Sequence, residues 1–254
     1  MNMKAEVLLY HELLTNGWPA KTIIFQNGWI LRLSEGVTRR ANSVLPIRYV
    51  GDNLLDDISV VERIYRERDL PVVFQIPDYF EPPNLKEKLL SLGYGSVDET
   101  LVMASSIKEI LKIEENRNLN SFIEQELSDK WLVSLSNLNN YSQTIIDGQE
   151  QIIKRIPFKT KAFCYSELGN QIVAVGIAII EREYLGIYDL IVHPDYRRRG
   201  IAQSLIAKML QWGKDNLVKH VYLTAQGDNF KAIALYNKIG LKDRHHYRYL
   251  IKNT

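Results

Sequence analysis

The residues best equipped for chemistry lie in one stretch, Tyr188-Asp189-Leu190-Ile191-Val192-His193-Pro194-Asp195-Tyr196-Arg197-Arg198-Arg199-Gly200-Ile201-Ala202. It reads as an apolar strand, a Pro-Asp turn, three arginines, a glycine and the start of a helix whose face is set by Ile201, Leu205, Met209 and Trp212. Such a loop is a ready anion site. The first-turn N–H groups of a helix have no partner within the helix, and the helix dipole favours negative charge there. Gly200 lets the backbone approach a ligand that a side chain would hold off. The arginines beside it offer charge-assisted hydrogen bonds to phosphate oxygens. The chemistry expected of Arg197 to Ala202 is therefore the cradling of a phosphate.

The elements that must position this loop form a regular series. Phe158 to Tyr165 and Gln171 to Ile180 read as strands turning at Gly169-Asn170, and Tyr184 to Val192 as a third strand. The helix after Gly200 is followed by a short strand, His220 to Thr224, by a helix from Asn229 to Ile239 closed by Gly240, and by a last strand, Arg244 to Lys252. The first half shows the same grammar after a helix over Ala5 to Asn16. Lys21 to Phe25 and Trp29 to Leu33 flank Asn27-Gly28, a hairpin signal, and Ala41 to Ile47 is the third strand. Asp52 or Asn53 caps a helix carrying Leu54, Ile58, Val61 and Tyr65, and Pro71 to Ile76 is a strand. Asn84 caps a helix carrying Leu85, Leu89 and Leu92 that ends at Gly93, and Thr100 to Met103 closes the series. Ser105 to Lys130 is polar and is expected to be a partly helical connection.

Arg197-x-x-Gly200-x-Ala202 resembles the Arg/Gln-x-x-Gly-x-Gly/Ala signature of the GNAT superfamily of acyl-CoA-dependent N-acyltransferases, and Leu190-Ile191-Val192-His193-Pro194 is similar to the strand and turn before it. The block Asp228 to Leu241 resembles the family's Asn…Ala…Leu-Tyr-x-x-x-Gly-Phe segment, with Leu241 where Phe is usual. The match covers roughly the last hundred residues, the size of one domain. The resemblance implies an α/β (α+β) fold, a mixed twisted sheet flanked by helices, and transfer of an acetyl group from acetyl-CoA to a primary amine. It implies that Arg197, Arg198, Arg199, Gly200, Ile201 and Ala202 hold the coenzyme pyrophosphate. The backbone of Leu190, Ile191 and Val192 would pair with the pantetheine and offer an N–H to the thioester oxygen. Asn229, which also suits a helix N-cap, would hydrogen-bond the pantetheine arm.

Tyr236, seven residues after Asn229, would be the general acid. A phenol of pKa about 10 can protonate a thiolate whose parent thiol has pKa about 8.5 when geometry helps. Ala232, Leu235, Tyr236 and Ile239 share one helical face, which equally suits a core tyrosine. Where several relatives carry a basic Glu, five residues before the Asn, this chain has Thr224. Asp189 and Tyr188 are then the nearest candidate bases, directly or through water, and an Asp in an apolar strand equally serves as a structural partner. Thr224 also motivates an alternative, a module that binds acyl-CoA without turning it over.

The repeated grammar predicts two tandem GNAT-like halves: a degenerate first domain over 1–105, a connection over 106–130 and a catalytic domain over 131–254. Aligning Gly93 with Gly240 puts Leu89 opposite Tyr236, and the loop Pro46 to Asn53 lacks the arginine-glycine signature, so one coenzyme site is expected. The acceptor should sit across from the coenzyme, walled by the first half. It stays open among a small amine, an amino acid derivative, an antibiotic and a protein N-terminus.

The 254 residues are 46% hydrophobic and 24% charged, with a net charge of +2, average for a globular chain. That balance favours neither nucleic acid nor a membrane surface, and Arg197-Arg198-Arg199 lacks the interleaved aromatics of a nucleic-acid patch. Arg39-Arg40 reads first as a solvated turn and second as part of an anionic acceptor's pocket. Cys164 is the lone cysteine, which excludes an internal disulfide and fits a reducing cytosol. The N-terminus leads into no signal-peptide pattern, and the expected location is cytoplasmic. His193, His220, His245 and His246 lack metal-ligand spacing, so no metal is expected.

Overall fold

The computed structural model describes residues 2–34, 36–110, 113, 116 and 119–252. Asn2 caps helix α1 (Met3–Gly17), which buries Val7, Tyr10, Leu13 and Leu14. The hairpin of β1 (Thr22–Gln26) and β2 (Trp29–Leu33) turns through Asn27 and Gly28 at φ 46° and 91°, the left-handed pair a two-residue turn requires. The third strand shrinks from the expected 41–47 to β3 (Val44–Leu45), because Arg39–Ala41 winds into a 3-10 turn capped by Thr38. Asn53 accepts from the N–H groups of Leu55 and Asp56 to start α2 (Leu54–Arg66), which buries Ile58, Val61 and Tyr65. Next come β4 (Val72–Pro77), α3 (Leu85–Ser91) and β5 (Gly95–Ser106); Asn84 stands before α3 without the expected side-chain cap.

The connection differs from expectation. Among the described residues of 105–130, β5 runs on to Ser106 and β6 (Asn120–Glu124) pairs with the following strand, while helix begins only at Asp129. Phe122 decides for strand, since its ring stacks on Tyr165 with centroids 5.0 Å apart. Residues 111, 112, 114, 115, 117 and 118 lie outside the described residues. Two further helices, α4 (Asp129–Asn139) and α5 (Gln143–Arg155), are capped by Ser128 and Ser142. The second half then follows its expected order: β7 (Lys161–Leu168), β8 (Gln171–Glu181), β9 (Tyr184–Val192), α6 (Ile201–Asp215), β10 (His220–Gln226), α7 (Phe230–Ile239) and β11 (Lys242–Lys252).

The described strands make one eleven-stranded sheet in the order β1-β2-β3-β4-β11-β5-β10-β9-β8-β7-β6. The sheet is mixed: β3 with β4 and β9 with β10 run parallel, and the other neighbours run antiparallel. Near its centre β11 lies between β4 and β5, and β5 between β11 and β10. Three apolar clusters clothe the sheet. Trp18, Trp131, Ile152 and Ile153 anchor α1, α4 and α5. Leu205, Met209 and Ile239 anchor α6 and α7. Trp29, Ile58, Tyr65 and Leu89 anchor α2 and α3. Among the described residues no helix is long and apolar enough to cross a membrane.

Candidate active site

Two features of the sheet open the site. Strands β9 and β10 pair in parallel only as far as Ile187 and Leu223. Beyond that point they diverge, leaving a slot at the C-terminal end of β9. In the same place β9 is bulged, with Asp189 and Leu190 together opposing Gly176 of β8 and Asp189 at φ 46°. Gly176 is closely packed: a Cβ there would come within 2.6 Å of Met209 Cε, which would have to shift, and 3.4 Å of Leu190 Cδ1.

The loop after β9 leads through Gly200 into α6 (Ile201–Asp215). Gly200 sits at φ 75°, a left-handed conformation, and a Cβ added there would touch nothing. Its role in the free protein is thus to set the backbone, not to relieve crowding. No side chain caps the start of α6. By contrast α1, α2, α4, α5 and α7 all have side-chain caps. The first-turn N–H groups of α6 are therefore left for a ligand. Arg197, Arg198, Gly200, Ile201 and Ala202 line a cavity of about 620 Å³ together with Leu190, Val192 and residues of α7. Arg199 is the exception, its guanidinium lying 5.2 Å over the Tyr196 ring and outside the cavity wall.

A second cavity, of about 400 Å³, includes Ile191, Asp189, Thr224 and Asn229 in its wall. The two cavities share Leu190, Ala232 and Tyr236. Tyr236 is only 8% exposed, and burial pushes its hydroxyl up to about 12, so the phenol keeps its proton at neutral pH. Asn229 caps α7, its Oδ1 accepting from Ala232 N at 3.2 Å. The cap leaves the amide NH₂ of Asn229 to donate elsewhere.

Asp189 and Tyr188, adjacent in sequence, have different fates. Tyr188 points into the core, where its hydroxyl meets Tyr222 at 2.7 Å and the Leu13 carbonyl at 3.2 Å, and burial raises its pKa. Tyr188 also lines the smaller cavity, and its hydroxyl is engaged with Tyr222 and Leu13, which leaves Asp189 the more open of the two candidates. Asp189 Oδ1 accepts from Arg40 Nη2 at 3.0 Å, while its Oδ2, shielded from solvent, has no hydrogen-bond partner among the described residues.

The rest of the wall draws on the first half of the chain, as well as on Tyr141 and β11. Arg39 and Arg40, read first as a solvated turn, both line the smaller cavity, with Thr38, Asp98 and Thr100 of the first half. Arg39 pairs with Asp98. Tyr141 after α4 and Tyr247 and Tyr249 of β11 complete the wall. Burial and the Asp189 charge raise the Tyr141 pKa. The β-strand alternation of Tyr247 and Tyr249 was the available signal for two of these rings. Cys164 is buried and its thiol is pushed up to about 12, which makes it inert. Among the described residues no group of three or more His, Cys, Asp or Glu could hold a metal ion.

Residues 11–250 match the family described as "Probable histone acetyltransferase Rv0428c C-terminal". The "Uncharacterized N-acetyltransferase YobR" of Bacillus subtilis (strain 168) is 30% identical over 241 residues, 93% of this chain and 95% of that protein. Among solved structures, a GCN5-related N-acetyltransferase from Kribbella flavida superposes with a TM-score of 0.71 over 98% of this chain and 96% of its own, at 13% identity. A tandem GNAT protein from the clavulanic acid biosynthesis pathway superposes with a TM-score of 0.63 over 78% of this chain and 69% of its own, at 10% identity. At such identities the likeness is one of fold.

Proposed function

Since the chain belongs to the GNAT superfamily of N-acetyltransferases, we propose that it moves an acetyl group from acetyl-CoA to a primary amine, with Tyr236 as general acid and Asp189 as the acceptor of the amine's proton. The observation that carries this reading is the meeting of the two cavities at Tyr236. The larger cavity suits the coenzyme. The uncapped start of α6, Gly200 at φ 75° and the Arg197 and Arg198 side chains fit a pyrophosphate. The slot between β9 and β10 suits an extended arm whose amides pair with Leu190, Ile191 and Val192. Asn229 can donate to that arm.

The acetyl thioester supplies the electrophile. The chain's residues supply orientation and two proton positions. The amine nitrogen forms its bond to the acetyl carbon as the carbon–sulfur bond breaks. The Asp189 carboxylate takes the amine's proton, and the Tyr236 hydroxyl gives one to the departing sulfur. The bulge at Asp189-Leu190 interrupts the β8 ladder, and a backbone N–H freed there would serve the charge that develops on the acetyl oxygen.

The first half is unsuited to a second coenzyme. The first turn of α2 carries Asp56 and Asp57, which repel phosphate. The preceding loop is filled by its own side chains: a Cβ at Gly51 would come within 2.1 Å of Asp57 Oδ2, which the Tyr49 hydroxyl meets at 2.7 Å. Calorimetric titration with acetyl-CoA tests the assignment. Saturation near one site per chain, abolished by Gly200→Glu, is expected. Retained affinity in the variant would remove the cradle from this loop, and two sites per chain would overturn the reading of the first half.

A further inference from the structure

The smaller cavity holds a charge pattern that speaks to the acceptor. Its charged lining residues are Arg39, Arg40, Asp98 and Asp189, two of each sign. They stand as two ion pairs, Arg39 with Asp98 and Arg40 with Asp189. Both arginines come from one 3-10 turn of the first half, and each is laid on an aromatic ring. The Arg40 guanidinium lies 4.6 Å from the Trp18 ring and that of Arg39 lies 6.0 Å from the Tyr249 ring. Their positions are thus set before any ligand arrives. Arg40 spends only one of its five donors on Asp189 among the described residues. Asp189 Oδ2 is shielded from solvent and accepts from nothing among the described residues, and a buried acceptor without a donor is costly. The site therefore offers unused guanidinium N–H groups and an unused carboxylate oxygen side by side.

We propose that the acceptor is a free α-amino acid, its carboxylate received by Arg40 and Arg39 and its amine by Asp189. This rests on the acetyl-transfer reading above and deepens it. An α-amino acid carries its anionic and basic groups on one carbon, at a spacing comparable to the 3.0 Å between Arg40 Nη2 and Asp189 Oδ1. The amine then lies at the β9 bulge beside Tyr236, where the acetyl group must arrive. Other amines fit poorly. A lysine-rich peptide or a polyamine brings further positive charge against two guanidinium groups, and an anion-rich amine brings its charge against two carboxylates. The amino acid's side chain faces Tyr141, Tyr247 and Tyr249, in a cavity of about 400 Å³.

The test measures release of free coenzyme A thiol with a matched set of acceptors: each proteinogenic amino acid, its methyl ester, its decarboxylated amine, spermidine and a lysine-rich peptide. The best amino acid is expected to exceed its own ester and decarboxylated amine by about 10- to 100-fold in kcat/KM, as hydrogen bonds to a charged group allow. In Arg39→Gln and Arg40→Gln that preference should fall to a few-fold through a raised acceptor KM, with the KM for acetyl-CoA unchanged. Arg39 is the safer variant for folding, because its side chain is 48% exposed. Equal loss for the amino acid and its ester would mean that the arginines only join the two halves, and would overturn the proposal. Preference for the peptide, the polyamine or the ester would overturn it while leaving acetyl transfer intact. Acetyl-CoA binding without transfer to any amino acid would overturn it as well. Absence of acetyl-CoA binding would remove the reading beneath it.

Discussion

At position 236 the competing roles for a tyrosine make different demands on the hydroxyl. A core tyrosine finds a hydrogen-bond partner, as Tyr65 does with the Arg32 carbonyl at 2.9 Å and Tyr188 with Tyr222 at 2.7 Å. The Tyr236 hydroxyl makes no hydrogen bond among the described residues, and its ring lies in the wall of both cavities. A buried phenol with its pKa raised to about 12 by burial holds a proton that nothing else claims, which suits a donor to sulfur. Tyr236→Phe should therefore lower kcat by about 10²- to 10⁴-fold. Its calorimetric affinity for acetyl-CoA should stay as in the wild type, and its melting temperature should move little. Full turnover in the variant would end the acid assignment. The alternative of an acyl-CoA sensor, motivated by Thr224 in the cavity wall, predicts a wild-type protein that binds acetyl-CoA and transfers to no amine.

The elements differ in how openly the sequence displays them. The loop from Arg197 to Ala202 stood out because a helix start, a glycine and arginines in that order are the residue types a phosphate site needs. The β1–β2 hairpin was legible from Asn27-Gly28, α2 and α7 from caps and apolar spacing, and α6 from apolar spacing after Gly200. Helices α4 and α5 carried equivalent signals in Ser128 with Trp131, Leu135 and Leu138, and in Ser142 with Ile146, Ile152 and Ile153. The β9 bulge was hidden, because it is a backbone event that leaves Asp189 looking like any strand residue. Arg39-Arg40 carried a second reading as pocket residues, but their partners were hidden for another reason: Arg40 reaches Asp189 across 149 positions of sequence, and no local pattern encodes such a meeting. Gly186, on β9 just before the strands part, shows how tightly the slot is built. A Cβ there would come within 2.6 Å of both Tyr188 Cε2 and Tyr222 Cζ, and both rings are fixed by their shared hydrogen bond. Gly186→Ala should cost roughly 1–3 kcal/mol of stability by overpacking, read from urea unfolding. A loss below a few tenths of a kcal/mol would show that the rings yield freely.

At the scale of the molecule, β11 is seated between β4 and β5 in the middle of the sheet, and the interface that secures β11 bears on the whole fold. Helix α1 packs on that strand through His11 and His245, whose rings lie 5.3 Å apart with all four nitrogens lacking hydrogen-bond partners among the described residues. Burial, then the neighbouring His245 and Arg32 charges, hold the His11 pKa well below its ordinary 6.5. Burial also lowers His245 to about 4, against the opposing pull of Asp78, Glu6 and Asp243. Below pH 6.5 the unfolded chain binds protons at these rings that the folded chain refuses. Stability is then complete above pH 6.5 and falls with pH, by about 3 kcal/mol for His245 alone on reaching pH 4. His246 acts in the opposite sense. Although burial pulls it down, Asp243, Asp78 and Glu99 raise its pKa, so its contribution is present below pH 6.5 and lost as pH rises. It is partly exposed, and solvent screens it. Between pH 6.5 and 5 most carboxylates stay ionised, with reference values of about 4, so the buried histidines dominate that window. The melting temperature of the wild type should drop across it, and that of His245→Gln should drop distinctly less. Equal slopes for the two proteins would place the acid sensitivity elsewhere than the seam between α1 and β11.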